Sequence, residues 1–170
     1  MVELKKLKSG DVVMHNSKNL NRVNYLVGTN EIFRKSIIPY DKIICEFLSE
    51  FSNNLMKHKD SSKFPDIKTL GFWCRKKNIL NLKKKFISER TRVGHGLIFH
   101  ITPSNIPTNF AYSLIFGLIT GNSNIIKVPS KKFEQISLIC KILKKVLQKK
   151  KFKLIKKMIS IVKYYENDEY

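Results

Sequence analysis

Negative charge is what this chain most lacks: 13 Asp and Glu stand against 33 Lys and Arg, a formal net charge of +20. Arginine is scarce within that excess, with 5 Arg beside 28 Lys. A surface built to read phosphates and bases favours the planar, bidentate guanidinium, so the charge alone does not make this a nucleic-acid-binding protein. The chain is also crowded with Asn and Ile, which points to a compositional drift rather than a selected basic surface. Weak, salt-sensitive adhesion to polyanions is expected whatever the function.

Other absences narrow the class further. No uncharged apolar run reaches the roughly 18 residues of a membrane span. The start Val2-Glu3-Leu4-Lys5-Lys6 has no apolar signal-peptide core. A cytoplasmic protein without a membrane span is the expectation. Cysteine is represented only by Cys45, Cys74 and Cys140, an odd number with no CxxC spacing. Neither a disulfide framework nor a zinc site follows, and no metal is expected. At 170 residues the chain can bury one respectable core.

What is present concentrates in residues 94–131, GHGLIFHITPSNIPTNFAYSLIFGLITGNSNIIKVPSK. An apolar run at 97–101 predicts a strand, and PSNIP at 103–107 a Pro-bounded turn. Residues 109–119 predict a helix with no polar face, which marks burial. A Gly-Asn-Ser-Asn break precedes a second strand at 125–128, and residues 158–162 predict a third. Strand, helix, strand, helix specifies an α/β fold with a parallel sheet and crossover helices. In such sheets ligands bind beyond the carboxyl ends of the strands, where Thr102 to Asn105 and Lys127 to Lys131 gather.

Around this unit the pattern is helical. Ile44, Phe47, Leu48, Phe51 and Leu55 mark one face of a helix over 41–56, with Asp41 as N-cap. Residues 57–63 read as a loop, 67–74 as an apolar segment beneath the sheet, and 76–86 as a basic amphipathic stretch. A helix after Ser130, capped by that serine, carries a buried stripe through Phe133, Ile136, Ile139, Cys140, Leu143 and Leu147. Its Lys141, Lys144, Lys145 and Lys149 form a solvated face. Residues 11–14 and 23–27 are short strand-like pieces within a polar extension, 1–40. Three parallel strands would leave an unpaired edge beyond Val162.

PSNIP at 103–107 and GLITGNSNIIKVPSK at 117–131 resemble the Pro-x-Asn-x-Pro and Gly-Asn-…-Lys-Pro-Ser signatures of the aldehyde dehydrogenase superfamily. The fuller HITPSNIPTNFAYS, with FPDIKTLGFWCRK at 64–76, resembles one branch more closely. That branch is the acyl-CoA reductase of the bacterial bioluminescence (lux) system. The resemblance covers residue 41 to the end, implying a partial NAD(P)-binding domain of aldehyde-dehydrogenase-like, Rossmann-type fold over 41–170. It implies NADPH-linked reduction of long-chain fatty acyl-CoA to aldehyde. The implied partners are an acyl-CoA or acyl thioester, a C-terminal reductase part, and an acyl-activating protein.

By the same resemblance Asn105 is the catalytic oxyanion donor, a task for a preorganised neutral amide. Outside that context a turn Asn merely satisfies its own backbone. Thr102, Pro103 and Ser104 would wall the nicotinamide ribose. Lys127 would donate to adenosine ribose hydroxyls. Ser130 stands where NAD-preferring members carry an acid. A hydroxyl there, flanked by Lys127 and Lys131, removes repulsion and adds positive charge for a 2′-phosphate. Ser130 could equally do no more than cap its helix. His95 and His100 receive no catalytic role. Gly121 is expected to supply positive φ, and Gly117 a close helix–sheet approach.

The superfamily's reaction needs a nucleophilic Cys in a second domain. After Asn105 the sequence contains only Cys140, on a buried stripe where a thiol is inert. A Gly-rich turn after the third strand is also missing. The expectation is therefore the N-terminal part of such a reductase, from a truncated frame, a split gene or a fragment, inactive alone. The alternative is a non-catalytic remnant, or a basic interaction module that keeps half the fold.

Overall fold

A computed structural model of the chain describes residues 23–86 and 92–164. The strand-like piece at 11–14 lies outside them. Four strands form one mixed sheet: β1 (Asn24–Val27), β2 (Leu97–Ile101), β3 (Ser123–Lys127) and β4 (Ile159–Lys163), in the order β1-β4-β3-β2. β2, β3 and β4 run parallel, as the crossover pattern predicts. β1 pairs antiparallel with β4, Tyr25 opposite Val162, through a bulge between Tyr25 and Val27. This corrects the expected open edge beyond Val162. Among the described residues, the free edge of the parallel set is β2.

Two helical connections cover one face of the sheet. α4 (Asn109–Ile119) joins β2 to β3, and α5 (Glu134–Leu147), a 3-10 turn at Lys150–Phe152 and α6 (Lys153–Lys157) join β3 to β4. Right-handed crossovers that step the same way lie on the same face. Ile126, Ile159 and Ile161 are buried beneath them, each at most 1% exposed.

A second helical layer packs outside the first. α1 (Lys42–Lys57) contacts α4, α5 and α6 on one side and α2 (Pro65–Trp73) and α3 (Lys76–Phe86) on the other. Its Ile44, Phe47, Leu48, Phe51 and Leu55 are all fully buried, the stripe the periodicity predicts. Asp41 caps it, its carboxylate accepting from the Ile43 amide at 2.8 Å. Phe47 meets Phe152 edge-on at 5.4 Å between ring centroids, tying α1 to the turn before β4. Two expectations fail here. Residues 67–74 do not lie under the sheet; most of them form α2, which packs on α1. The loop at 57–63 closes into a 3-10 helix at Lys59–Lys63.

Glu50 bonds the ammonium groups of both Lys149 and Lys151, linking α1 to the turn after α5. Those hydrogen bonds hold its carboxyl below the ordinary value of 4.5. A lowered folded-state pKa gives stability that is present above the unfolded value and lost as pH falls through the folded one. Glu50→Gln should therefore lower stability at pH 7 by about 1 kcal/mol or less, since the site is partly wet. The gap between the two melting curves should close as pH drops below about 4.

Candidate functional site

The candidate site forms where β2 and β3 end side by side, with Ile101 registered against Lys127. One residue ties the two ends. The Thr102 amide and hydroxyl both donate to the Lys127 carbonyl, at 3.2 and 2.9 Å. Thr102 is 9% exposed, so its hydroxyl is committed inside the protein rather than offered to a ligand. It fixes the base of the turn that follows.

Pro103, Ser104 and Asn105 stand on that turn and are exposed. Thr108 and α4 receive the chain on its far side. The Asn105 amide makes no hydrogen bond among the described residues. It is therefore not spent on its own backbone and remains available as a donor at the strand end.

At the other, amino ends of β2 and β3 is a buried polar network that sequence reasoning missed. β3 starts at Ser123, inside the expected Gly-Asn-Ser-Asn break, because two asparagines are built into the fold. The Asn122 carbonyl oxygen of the side chain accepts from the Gly96 amide at 3.1 Å. The Asn124 side chain donates to the Asn122 backbone carbonyl at 2.8 Å, and its oxygen lies 2.9 Å from His100 Nε2. With the amide oxygen accepting, that imidazole nitrogen carries the proton. His100 is thus a structural partner of β3 within β2. Gly117 makes room for the network: a Cβ there would sit 1.7 Å from Asn124 Oδ1. Gly121 adopts φ +85°, the left-handed conformation its turn requires.

On the β3 side, Lys127 is half-buried with its ammonium 4.4 Å from the Tyr164 ring centroid. Ser130 and Lys131 are exposed on the connection to α5. α5 begins at Glu134 with Phe133 at its N-cap, so Ser130 does not cap the helix. A cavity of about 690 Å³ opens here, at the carboxyl ends of β3 and β4. Its wall includes Pro129, Lys131, Lys132, Glu134, Ser137 and Lys163. The structure thus brings Lys163 to the consecutive Lys131 and Lys132, from which it is distant in sequence. Lys163 arrives from β4 and Asn24 from β1, a distance in sequence that no local motif spans.

The thiols stand apart from this corner. Burial pushes Cys74 and Cys140 up to about 12. Cys45, half-buried on α1, is also raised by burial, with Lys83 working against the shift. It lies in a separate cleft of about 580 Å³ with Tyr40, Lys83 and Leu80, and its thiol donates to the Tyr40 carbonyl at 3.5 Å. None of the three is a ready thiolate at neutral pH. Among the described residues no group of three His, Cys, Asp or Glu could hold a metal ion. No helix there is long and apolar enough to cross a membrane.

The acyl-CoA reductase (LuxC) family model matches residues 63–170, more than half of the chain, with the carboxyl ends of β2, β3 and β4 inside the match. The chain belongs to the LuxC acyl-CoA reductase family. No curated protein and no solved structure matches it. The matched segment begins near α2 and includes α4, β3 and the crossover to β4. The carboxyl ends of β2 and β3 lie within the matched segment, as do Cys74 and Cys140.

Proposed function

We propose that the chain is the cofactor-binding part of a cytoplasmic, NADPH-linked reductase of long-chain fatty acyl-CoA, with an aldehyde-dehydrogenase-like fold. On this reading the nucleophilic thiol is none of Cys45, Cys74 and Cys140, and these 170 residues do not catalyse by themselves. The observation that carries the reading is the unspent Asn105 amide on a turn held at its base by Thr102. Such a donor can meet the thioester oxygen as it gains negative charge on attack. Pro103 and Ser104 form the adjoining wall.

The side chains around the cavity suit the cofactor's anionic end. Lys131 and Lys132 present cations that can meet phosphate oxygens, with Lys163 on the same wall, while Lys127, at the end of β3, lies outside that wall against Tyr164. Ser130 adds a hydroxyl without negative charge. When bound, NADPH supplies the hydride that turns an acyl thioester into an aldehyde. Glu134 on the same wall favours a second reading, because a carboxylate can accept from a ribose 2′-hydroxyl and so suits NADH.

Substitution separates the two readings. Ser130→Glu should shift the NADPH-to-NADH affinity ratio toward NADH by about tenfold, roughly 1.4 kcal/mol. Lys127→Ala should weaken both cofactors through the adenosine half. Equilibrium titration of each variant reads the ratio directly. A ratio unmoved by Ser130→Glu would remove this corner from the cofactor site.

A further inference from the structure

The cavity at the carboxyl ends of β3 and β4 has a wall that its lysines do not explain. Ammonium groups suit any phosphate, yet Leu26, Val128, Phe133 and Ile136 also line the space, and Asn24 joins them. Asn24 and Leu26 come from β1, which precedes the segment that the family model matches. β1 runs antiparallel to β4, so its amino end lies at the carboxyl end of β4, with Asn24 opposite Lys163. Residues two apart in a strand share a face, which sets Asn24 and Leu26 on the cavity together. The bulge between Tyr25 and Val27 re-aims the next side chain: Val27 is buried in the core while Leu26 stays on the cavity wall. Past the bulge the chain is tied down again. The Ser160 hydroxyl donates to the Thr29 carbonyl at 3.0 Å, and the Phe33 amide to the Lys157 carbonyl at 2.7 Å.

We infer that β1 makes this cavity selective for a purine base, with Asn24 reading the hydrogen-bonding edge of adenine and Leu26 and Phe133 giving the ring apolar contact. This rests on the function proposed above, whose cofactor carries adenine. Asn24 is exposed, and its side-chain amide makes no hydrogen bond among the described residues. A carboxamide offers a donor and an acceptor side by side, the complement of adenine's amino group and a neighbouring ring nitrogen. An apolar wall with one well-placed neutral polar group is what fixes a flat heteroaromatic ring. A bare phosphate or sugar would leave both the apolar wall and the amide unused.

The test titrates the 170-residue chain with AMP, GMP and ribose 5-phosphate, and separately with NADPH, at a salt concentration that suppresses loose phosphate binding. Asn24→Ala and Asn24→Asp change an exposed position, and circular dichroism checks that both variants are folded. AMP is expected to bind about tenfold or more tightly than ribose 5-phosphate, and Asn24→Ala should narrow that gap. Asn24→Asp should move the AMP-to-GMP affinity ratio toward GMP by about tenfold. A carboxylate accepts from guanine's adjacent N1–H and N2 amino donors, but has no proton to give a ring nitrogen of adenine. A purely structural Asn24 would not move that ratio. A ratio unmoved by Asn24→Asp, or AMP no tighter than ribose 5-phosphate, overturns the inference; saturable NADPH binding in the same experiment would leave the cofactor reading standing. A ratio that shifts while NADPH fails to bind would keep the base site and sink the proposed cofactor instead. No binding of any probe overturns both.

Discussion

Asn105→Ala, in a reductase reconstituted from this chain and a thiol-bearing part, is expected to slow thioester attack by roughly 10²–10³-fold. That is the usual loss for one preorganised oxyanion donor, about 2.7–4 kcal/mol of transition-state stabilisation. NADPH affinity should be nearly unchanged, because the lysines of the cavity lie on the β3 and β4 side of the sheet. Single-turnover kinetics under saturating NADPH separates the two effects. The large loss is specific to a donor that is free before the substrate arrives, and Asn105 makes no competing hydrogen bond among the described residues. Were the amide only a turn residue, its removal would change folding stability and leave the attack rate of the folded enzyme alone. Asn105→Asp offers a second readout: a carboxylate repels a developing oxyanion and should be at least as damaging as alanine.

Gly117→Ala is expected to destabilise the fold by about 3 kcal/mol or more, although alanine is the better helix former. The added methyl would lie 1.7 Å from Asn124 Oδ1 and 2.7 Å from its Cγ. Asn124 is fully buried in β3, between two paired strands, and has nowhere to retreat. Moving its side chain breaks the contacts to His100 and to the Asn122 carbonyl together, and each buried polar group left unpaired costs about 1–3 kcal/mol. Urea unfolding measures the loss. The Gly117→Ala, Asn124→Ala double variant should lose much less than the sum of the singles, because the clash requires both side chains. Full additivity would mean that helix and strand do not meet at this point.

The parallel strands, the buried α4 and the α1 stripe were legible in the sequence because each depends on local periodicity. So was the Asp41 cap, which acts over two residues. The α4 forecast needs one adjustment. Its sequence has no polar face, yet Phe116 remains 51% exposed beside Trp73. Periodicity identifies an apolar face without saying whether this chain itself covers it.

What sequence could not supply was pairing over long distances. β1 reads as a fragment of a polar extension because four residues carry little signal, and only its ladder with β4 makes it part of the sheet. Asn122 and Asn124 read as turn formers because that is what asparagine usually does. Their burial depends on Gly96, His100 and Gly117, which come from two other segments, β2 with the residue before it and α4. Ser130 looked like a cap because Ser before an apolar stripe usually is one. The helix starts later, at Glu134, leaving exposed Ser130 to Lys132 and half-buried Phe133 as the connection beside the cavity. The family motif singled out Asn105 and Lys127, whereas Lys163 needed the fold to bring it beside Lys131 and Lys132.

Calorimetric titration of the 170-residue chain with NADPH tests the central claim most directly, with acyl-CoA present in a parallel cell. The expected result is saturable NADPH binding that weakens with salt and with combined Lys131→Ala and Lys132→Ala substitution. No NADPH should be consumed, because burial leaves no thiolate to attack the thioester. Absence of saturable binding would contradict the cofactor site. Steady NADPH consumption that stops on alkylation of a cysteine would contradict the claim that this chain's thiols are inert.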